Sequence, residues 1–393
     1  MTAEGTNQGS LELAAPATDV GSYSFEPIRG YPMLTWRGKR PFTSTQFYPA
    51  QLREVHGRDI EGWRNKIFWG DNLQVMSHLL REFRGQFKLI YIDPPFDSKA
   101  DYKKRVQLRG SRVEGTQSSF EEKQYSDIWN NDEYLQFVFE RLILLRELLA
   151  DDGSIYVHCD ASRGHYLKCI LDEVFGPTNF RNEVVWKRTA ARADSSTYNH
   201  VHDTIFFYSK SSEFTWNRQF TGHSESYLGA KYARSDAAGR PYRLDNMTSP
   251  NPRPNMTYEW RGFAPPANGW RYSREKMAEL HEQGRIWYPD DTSKRPQLIR
   301  YLDESDGRPL DSVWTDIHPV NSQASDRLDY PTQKPIELLN RIIASSSDPG
   351  DLVLDTFMGS GTTLASAALA FASASANRSA SGTCLRPFVD RIS

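Results

Sequence analysis

The sequence predicts an α/β fold built on a parallel sheet, and three stretches carry that prediction. Lys66-Ile67-Phe68-Trp69 reads as a strand that turns at Gly70 into a helix, with Leu73, Met76, Leu79 and Leu80 at helical spacing. Asp71 or Asn72 caps that helix, and a second strand, Leu89-Ile90-Tyr91-Ile92, follows it. Strand, helix and strand in this order form the unit of a parallel sheet. Far down the chain, Leu352-Val353-Leu354-Asp355 is a short apolar strand followed by Thr356-Phe357-Met358-Gly359-Ser360-Gly361-Thr362-Thr363 and an alanine-rich helix. Such a corner binds nucleotides or cofactors, because glycines admit the ligand to the backbone and the helix N-terminus offers free N–H groups. No lysine follows the glycines as a P-loop requires. Thirdly, Glu133 to Leu149 places Leu135, Val138, Leu142 and Leu145 on one helical face, turns at Asp152-Gly153, and runs into the strand Ser154-Ile155-Tyr156-Val157-His158.

The other elements follow in order. Tyr166 to Phe175 reads as a helix ended by Gly176-Pro177, then Glu183 to Lys187 and Thr204 to Tyr208 as two strands joined by a polar loop. His158, Cys159 and Asp160 share a strand end with no fourth ligand nearby, which favours packing and capping over a metal. Pro331-Thr332-Gln333-Lys334-Pro335 opens a helix from Ile336 to Ala344. Lys334 there is placed either to meet a ligand carboxylate or to be an ordinary surface lysine.

Composition bounds the function. A 393-residue chain with 38% hydrophobic and 12% aromatic residues has material for a sizeable core. The net charge of −2 gives no overall positive field, so any nucleic-acid contact comes from local basic patches. Cys159, Cys169 and Cys384 form no CxxC pair and no zinc spacing, which suits idle thiols in a reducing cytosol and no metal site. With no apolar run long enough for a bilayer and no signal-peptide pattern, a cytoplasmic protein is expected. Residues 1–40 read as a mobile arm, 41–211 as a catalytic half, and 212–320 as a lobe rich in Trp, Tyr, Arg, Pro and Asn. Residues 321–373 read as a cofactor-binding half and 374–393 as an atypical tail.

The chemistry concentrates after Ile92. Asp93-Pro94-Pro95-Phe96 stops the strand with a carboxylate, two prolines and an aromatic ring at the carboxyl end, where open α/β sheets bind ligands. One reading of Asp93-Pro94 is an N-cap with proline in the first helical turn. The other is a pocket for a base swung out of a duplex. There Asp93 and the Pro94 carbonyl would accept from a planar amino group while Phe96 stacks on its ring. The segment beyond carries Lys99, Lys103, Lys104, Arg105, Arg109 and Arg112, either as a solvated loop or as a grip on phosphates. The aromatics and arginines of the lobe suit nucleic-acid contact or a small aromatic core equally.

Taken together, DPPF with its strand, DGSIYVHCD, TQKP before a helix, and DTFMGSGTT resemble the amino-methylating DNA methyltransferases. Their order is that of the β-class, in particular the type III modification subunits and their stand-alone relatives, over about Asn65 to Thr363. The resemblance implies a circularly permuted doubly wound Rossmann-like sheet with an inserted target-recognition lobe. It implies a site-specific DNA methyltransferase that carries a methyl group from S-adenosylmethionine to a flipped base, with Asp93 pointing to the N6 of adenine. Asp93, Pro94, Pro95 and Phe96 would form the catalytic pocket. Asp71 would lie by the cofactor's adenine, and Asp355, Phe357, Gly359, Gly361 and Thr362, with Lys334, by its methionine end. Lys99, Lys103, Lys104 and Arg105 would meet double-stranded DNA. A restriction subunit, a homodimer and a nucleoid location are consistent with it. An RNA or protein-amide methyltransferase and a DNA-binding remnant with an impaired cofactor site remain the alternatives.

Two departures stand out. Thr356 occupies a position usually held by proline. The strand expected after the glycine helix, whose terminal acid holds ribose hydroxyls, is replaced by Ser-Ala repeats from Ala372. Pro387-Phe388-Val389 with Asp390 is the only strand-like remnant. The sequence therefore predicts that Leu352–Asp355 lacks a neighbour and that cofactor binding is weak.

Overall fold

The computed structural model describes residues 22–25, 33–56, 63–95, 101–105, 121–126, 131–191, 193, 196–321, 327–328, 330, 332–376 and 386–391. Two compact units divide the chain: residues 1–217 with 311–393, and Arg218–Leu310.

The first unit is organised on an eight-stranded sheet. Its strands are β1 (Lys66–Trp69), β2 (Phe87–Ile92), β3 (Leu149–Asp160), β4 (Phe180–Lys187), β5 (His202–Ser209), β6 (Val313–Trp314), β7 (Leu352–Asp355) and β8 (Arg386–Arg391). They lie in the spatial order β6-β4-β5-β3-β2-β7-β8-β1. All run parallel except β5, which is antiparallel to both β4 and β3. The helices are α1 (Asn72–Phe83), α2 (Asn131–Leu148), α3 (Gly164–Phe175), α4 (Ile336–Ser346) and α5 (Thr362–Ala376).

Alternation of side chains along the strands explains the layering. Ile90 and Ile92 of β2 join Ile155, Val157 and Leu354 in one core with α1, α2 and α3. Leu89 and Tyr91 join Tyr156, Val353 and α4 residues Leu338, Leu339, Ile342 and Ile343 in a second core on the opposite face. Both faces are covered, so the central strands read as continuous apolar runs, as parallel strands do. Gly153, at the turn inside β3, is required by contact: a Cβ there would lie 2.8 Å from the Phe87 carbonyl oxygen.

Three expectations are corrected. Within the stretch read as a mobile arm, Ser22–Ser24 pairs with Ser44–Gln46, and Phe25 and Trp36 are buried in the first core. Lys39 ties the segment down by an ion pair with Glu173 at 2.7 Å. Composition underweights two aromatic anchors in a polar stretch. In the basic segment read as a loop, Asp101–Arg105 forms an antiparallel ladder with Glu121–Ser126. Lastly, β7 does have a neighbour. β8 pairs in parallel with β7 on one side and β1 on the other, with Leu354 opposite Phe388 and Asp355 opposite Val389. The short remnant seen in the sequence is a full strand, and the sheet closes around it.

In the second unit, Arg234–Ser235, Pro241–Asn246, Gln297–Tyr301 and Ile286–Trp287 form a four-stranded antiparallel sheet in that order. Met247, Trp260, Trp270, Met277, Ile286 and Leu298 fill its core. Trp270 is fully buried and its indole N–H donates to the Tyr258 carbonyl at 2.7 Å. The helix Arg274–Glu282 starts on the Ser273 hydroxyl, which accepts from the Lys276 N–H.

Candidate active site

Two corners meet at the carboxyl edge of adjacent parallel strands. β2 ends at Ile92 and delivers Asp93, Pro94 and Pro95; β7 ends at Asp355 and delivers the glycine turn.

At the first corner, Pro94 is buried and Asp93 is half-buried. The Lys334 ammonium is paired with Asp93 Oδ2. Asp93 Oδ1 is buried with no hydrogen-bond partner among the described residues. Phe96 and Lys99 lie outside the described residues. Lys103, Lys104 and Arg105 fall on the ladder strand, where Lys104 is in register with Glu122 and Arg105 with Glu121.

At the second corner, Asp355 is buried. Its Oδ1 accepts from the Phe357 N–H at 2.9 Å and its Oδ2 from the Thr363 hydroxyl at 2.5 Å. Burial pushes its carboxyl up to about 7; the two hydrogen bonds and the charge of Lys334 oppose that, and Asp93 adds to it. Gly359 and Gly361 hold φ of +55° and +84°, the left-handed region that glycine enters without a Cβ penalty. A Cβ at Gly361 would meet nothing within 4 Å among the described residues, so there is open space beside the turn at that position. The Thr362 hydroxyl donates to the Lys334 carbonyl at 3.2 Å, which joins the TQKP segment to this turn.

Asp71 is engaged within the protein by both oxygens. Its Oδ1 caps α1, accepting from the Leu73 and Gln74 N–H groups at 3.0 and 3.2 Å, and its Oδ2 takes Arg141 at 3.1 Å. Phe357 is buried with its ring edge-on to Phe137, centroids 6.1 Å apart.

Sequence reasoning missed Arg141 and took Asn72 only as an alternative cap of α1, a role that Asp71 fills. Arg141 Nε donates to Asn72 Oδ1 at 2.6 Å, and Asn72 Nδ2 donates to the Thr356 carbonyl at 3.1 Å. The guanidinium lies 3.5 Å from the centroid of the Phe137 ring. Burial lowers the Arg141 pKa to about 10 against the supporting charges of Asp71 and Glu140. A signal existed: Arg141 stands three residues after Val138 and four before Leu145, on the buried face of an amphipathic helix.

Below Asp93, Tyr91, His158 and Asp203 form a buried chain. The Tyr91 hydroxyl bonds His158 Nδ1 at 2.9 Å, His158 Nε2 bonds Asp203 Oδ2 at 3.2 Å, and Arg188 pairs with Asp203 Oδ1 at 2.8 Å. This chain holds β2, β3 and β5 together beside Asp93.

A mostly parallel sheet with one reversed strand, a carboxylate corner and a glycine corner side by side define a doubly wound domain that brings a cofactor against a second substrate. Residues 87–371 match the DNA methylase family N6_N4_Mtase, and the chain belongs to that family. It is 32% identical over 308 residues to the type II methyltransferase M.EcaI of Enterobacter cloacae, covering 78% of this chain and 64% of that one. It is 28% identical over 332 residues to the type III restriction-modification enzyme StyLTI Mod subunit of Salmonella typhimurium, covering 76% and 49%. The chain thus spans about half to two thirds of the length of these relatives. Among solved structures, the M1.HpyAVI–SAM complex aligns with 84% of this chain and 94% of that one at 14% identity and a TM-score of 0.39, too loose a likeness to build on.

Proposed function

We propose that this chain methylates the N6 amino group of adenine in duplex DNA, using S-adenosylmethionine. The observation that carries the reading is the Asp93 carboxylate: one oxygen held, the other buried with no partner among the described residues, at a strand end beside the glycine corner.

The residues suit the cofactor. The glycine turn, the open space beside Gly361 and the fixed Asp355 carboxyl would hold it, with Phe357 and Thr362 shaping the same turn. Asp390 stands in β8 one position beyond the register partner of Asp355, and an acid near the carboxyl end of a strand suits ribose hydroxyls. When bound, S-adenosylmethionine supplies an electrophilic methyl group. The chain's own residues prepare the amino group. Adenine N6 is a poor nucleophile because its lone pair is delocalised into the ring. Asp93 Oδ1 accepts one amino hydrogen and the Pro94 carbonyl the other, which draws the nitrogen toward tetrahedral geometry and stabilises the positive charge that develops there. Phe96 would stack on the base, and Pro94 and Pro95 stiffen the backbone that aligns the pocket.

Several features support the finer points. Asp at the head of the four-residue motif favours adenine over cytosine in the family that the chain belongs to. The aromatic and arginine-rich second unit suits target recognition, and the basic segment with Lys99, Lys103, Lys104 and Arg105 suits phosphate contact. The Mod subunits among the relatives make a restriction subunit a candidate partner. The test is nucleoside analysis of DNA from cells expressing the chain. N6-methyladenine at a fixed sequence is expected; N4-methylcytosine, or no modified base, overturns the reading.

A further inference from the structure

We infer that Lys334 is the positioning residue for Asp93: its ammonium holds Oδ2 so that Oδ1 stays open toward the substrate amino group. This rests on the amino-methylation reading and deepens it, moving Lys334 from the cofactor side of the site to the base side.

The residues are 241 apart in the chain, yet the ion pair joins them directly with side chains only 12% and 17% exposed. Both ends are fixed. Lys334 immediately precedes Pro335, the residue that starts α4, and its carbonyl accepts from Thr362 at the first turn of α5. Asp93 follows a strand buried on both faces. A half-buried carboxylate has several rotamers and several partners open to it; a cation on one oxygen selects a single orientation. Here the orientation selected leaves Oδ1 shielded from solvent and without a partner among the described residues. A buried acceptor without a donor is costly, and a substrate amino hydrogen relieves that cost.

The surroundings explain why a lysine is needed. The charge of Lys334 acts to lower the carboxyl pKa of both Asp203 and Asp355, while its ion pair is with Asp93. Asp203 is already served by His158 and Arg188. Asp355 is satisfied by Phe357 and Thr363. The direct ion pair of Lys334 goes to Asp93, whose other oxygen has no partner among the described residues. Through its carbonyl the same residue is tied to the glycine turn, so the base acceptor and the cofactor corner share one support.

Two measurements test this, one of them independent of turnover. In the full chain carrying isotope-labelled lysine, the Lys334 ammonium resonance is assigned by its absence in Lys334→Arg. It is expected to shift in Asp93→Asn and to stay in place when S-adenosylmethionine is added. A resonance indifferent to Asp93→Asn, or displaced by the cofactor, overturns the inference. For turnover, Lys334→Met is expected to lower the single-turnover methylation rate by about 10- to 100-fold while the cofactor Kd changes by less than about threefold. Lys334→Arg is expected to recover most of the rate. A Kd that rises by the same factor as the rate falls makes Lys334 a cofactor ligand instead and also overturns it. Wild-type chain that methylates no DNA removes the proposed function, while the resonance still decides the pairing.

Discussion

At the scale of single residues, the site separates two carboxylates by what surrounds them. Asp93 has a cation on one oxygen and, among the described residues, no partner on the other; Asp355 has both oxygens bonded and is buried. Asp93→Asn keeps the shape but loses the anion that the proposed reaction uses, so methylation is expected to fall by about 100-fold or more, with a much smaller loss of stability from leaving the Lys334 ammonium without its counter-charge. Steady-state kinetics alongside urea denaturation check both halves, and near-normal turnover contradicts the role. For Asp355, burial raises the folded pKa to about 7 from 3.8, so the fold holds the proton more tightly than the unfolded chain. Its contribution to stability is full below about pH 4 and is lost as pH rises through about 7. Asp355→Asn can still accept from Phe357 and is expected to flatten that slope. Unfolding free energies at about pH 5 and pH 7.5 for both chains measure it. Asp93 was legible in the sequence because a carboxylate after an apolar run is a local pattern. Its pairing with Lys334 was not, because nothing local links residues 241 positions apart.

At the scale of elements, the strands and helices of the main sheet were legible where burial on both faces wrote apolar runs and helical periods into the chain. β2, β3, β7, α1 and α2 are of this kind. β8 was not. Its six residues follow a long Ala-Ser stretch, and its place between β7 and β1 comes from pairing with strands that precede it in the chain by tens and by hundreds of residues. The ladder at Asp101–Arg105 escaped for a related reason, since charged residues dominate both of its strands. Elements are also tied together by buried polar groups that periodicity alone does not announce. Arg141 of α2 holds Asn72 of α1, which holds the backbone at Thr356 after β7. Arg141→Met keeps the apolar stem but leaves the Asn72 carbonyl oxygen without its donor. A loss of about 2–3 kcal/mol is expected, together with weaker cofactor binding as the Thr356–Phe357 backbone loosens. Urea denaturation and calorimetric titration of S-adenosylmethionine test it, and a variant with wild-type values in both rules out this link.

At the scale of the whole molecule, a net charge of −2 leaves the proposed DNA contact to local basic patches, of which the ladder at Asp101–Arg105 is one candidate. By backbone register, Lys104 stands opposite Glu122 and Arg105 opposite Glu121. Lys103 stands in register with Lys123. Like charges directly opposite are destabilising on their own, and a phosphate between them relieves the repulsion. Each phosphate neutralised releases counterions and steepens the salt dependence of binding by about 0.9 in the logarithmic slope. Lys103→Gln is therefore expected to weaken binding to all duplexes alike and to flatten that slope by roughly one contact. Lys104→Gln and Arg105→Gln are expected to change it by less, since an acid shares the register position of each. Substitutions among exposed arginines of the second unit should instead alter which sequence is methylated and leave the slope of nonspecific binding nearly intact. Binding isotherms on target and random duplexes across a series of salt concentrations separate the two. A slope unmoved by Lys103→Gln, with sequence preference changed instead, would reverse this division of labour between the units.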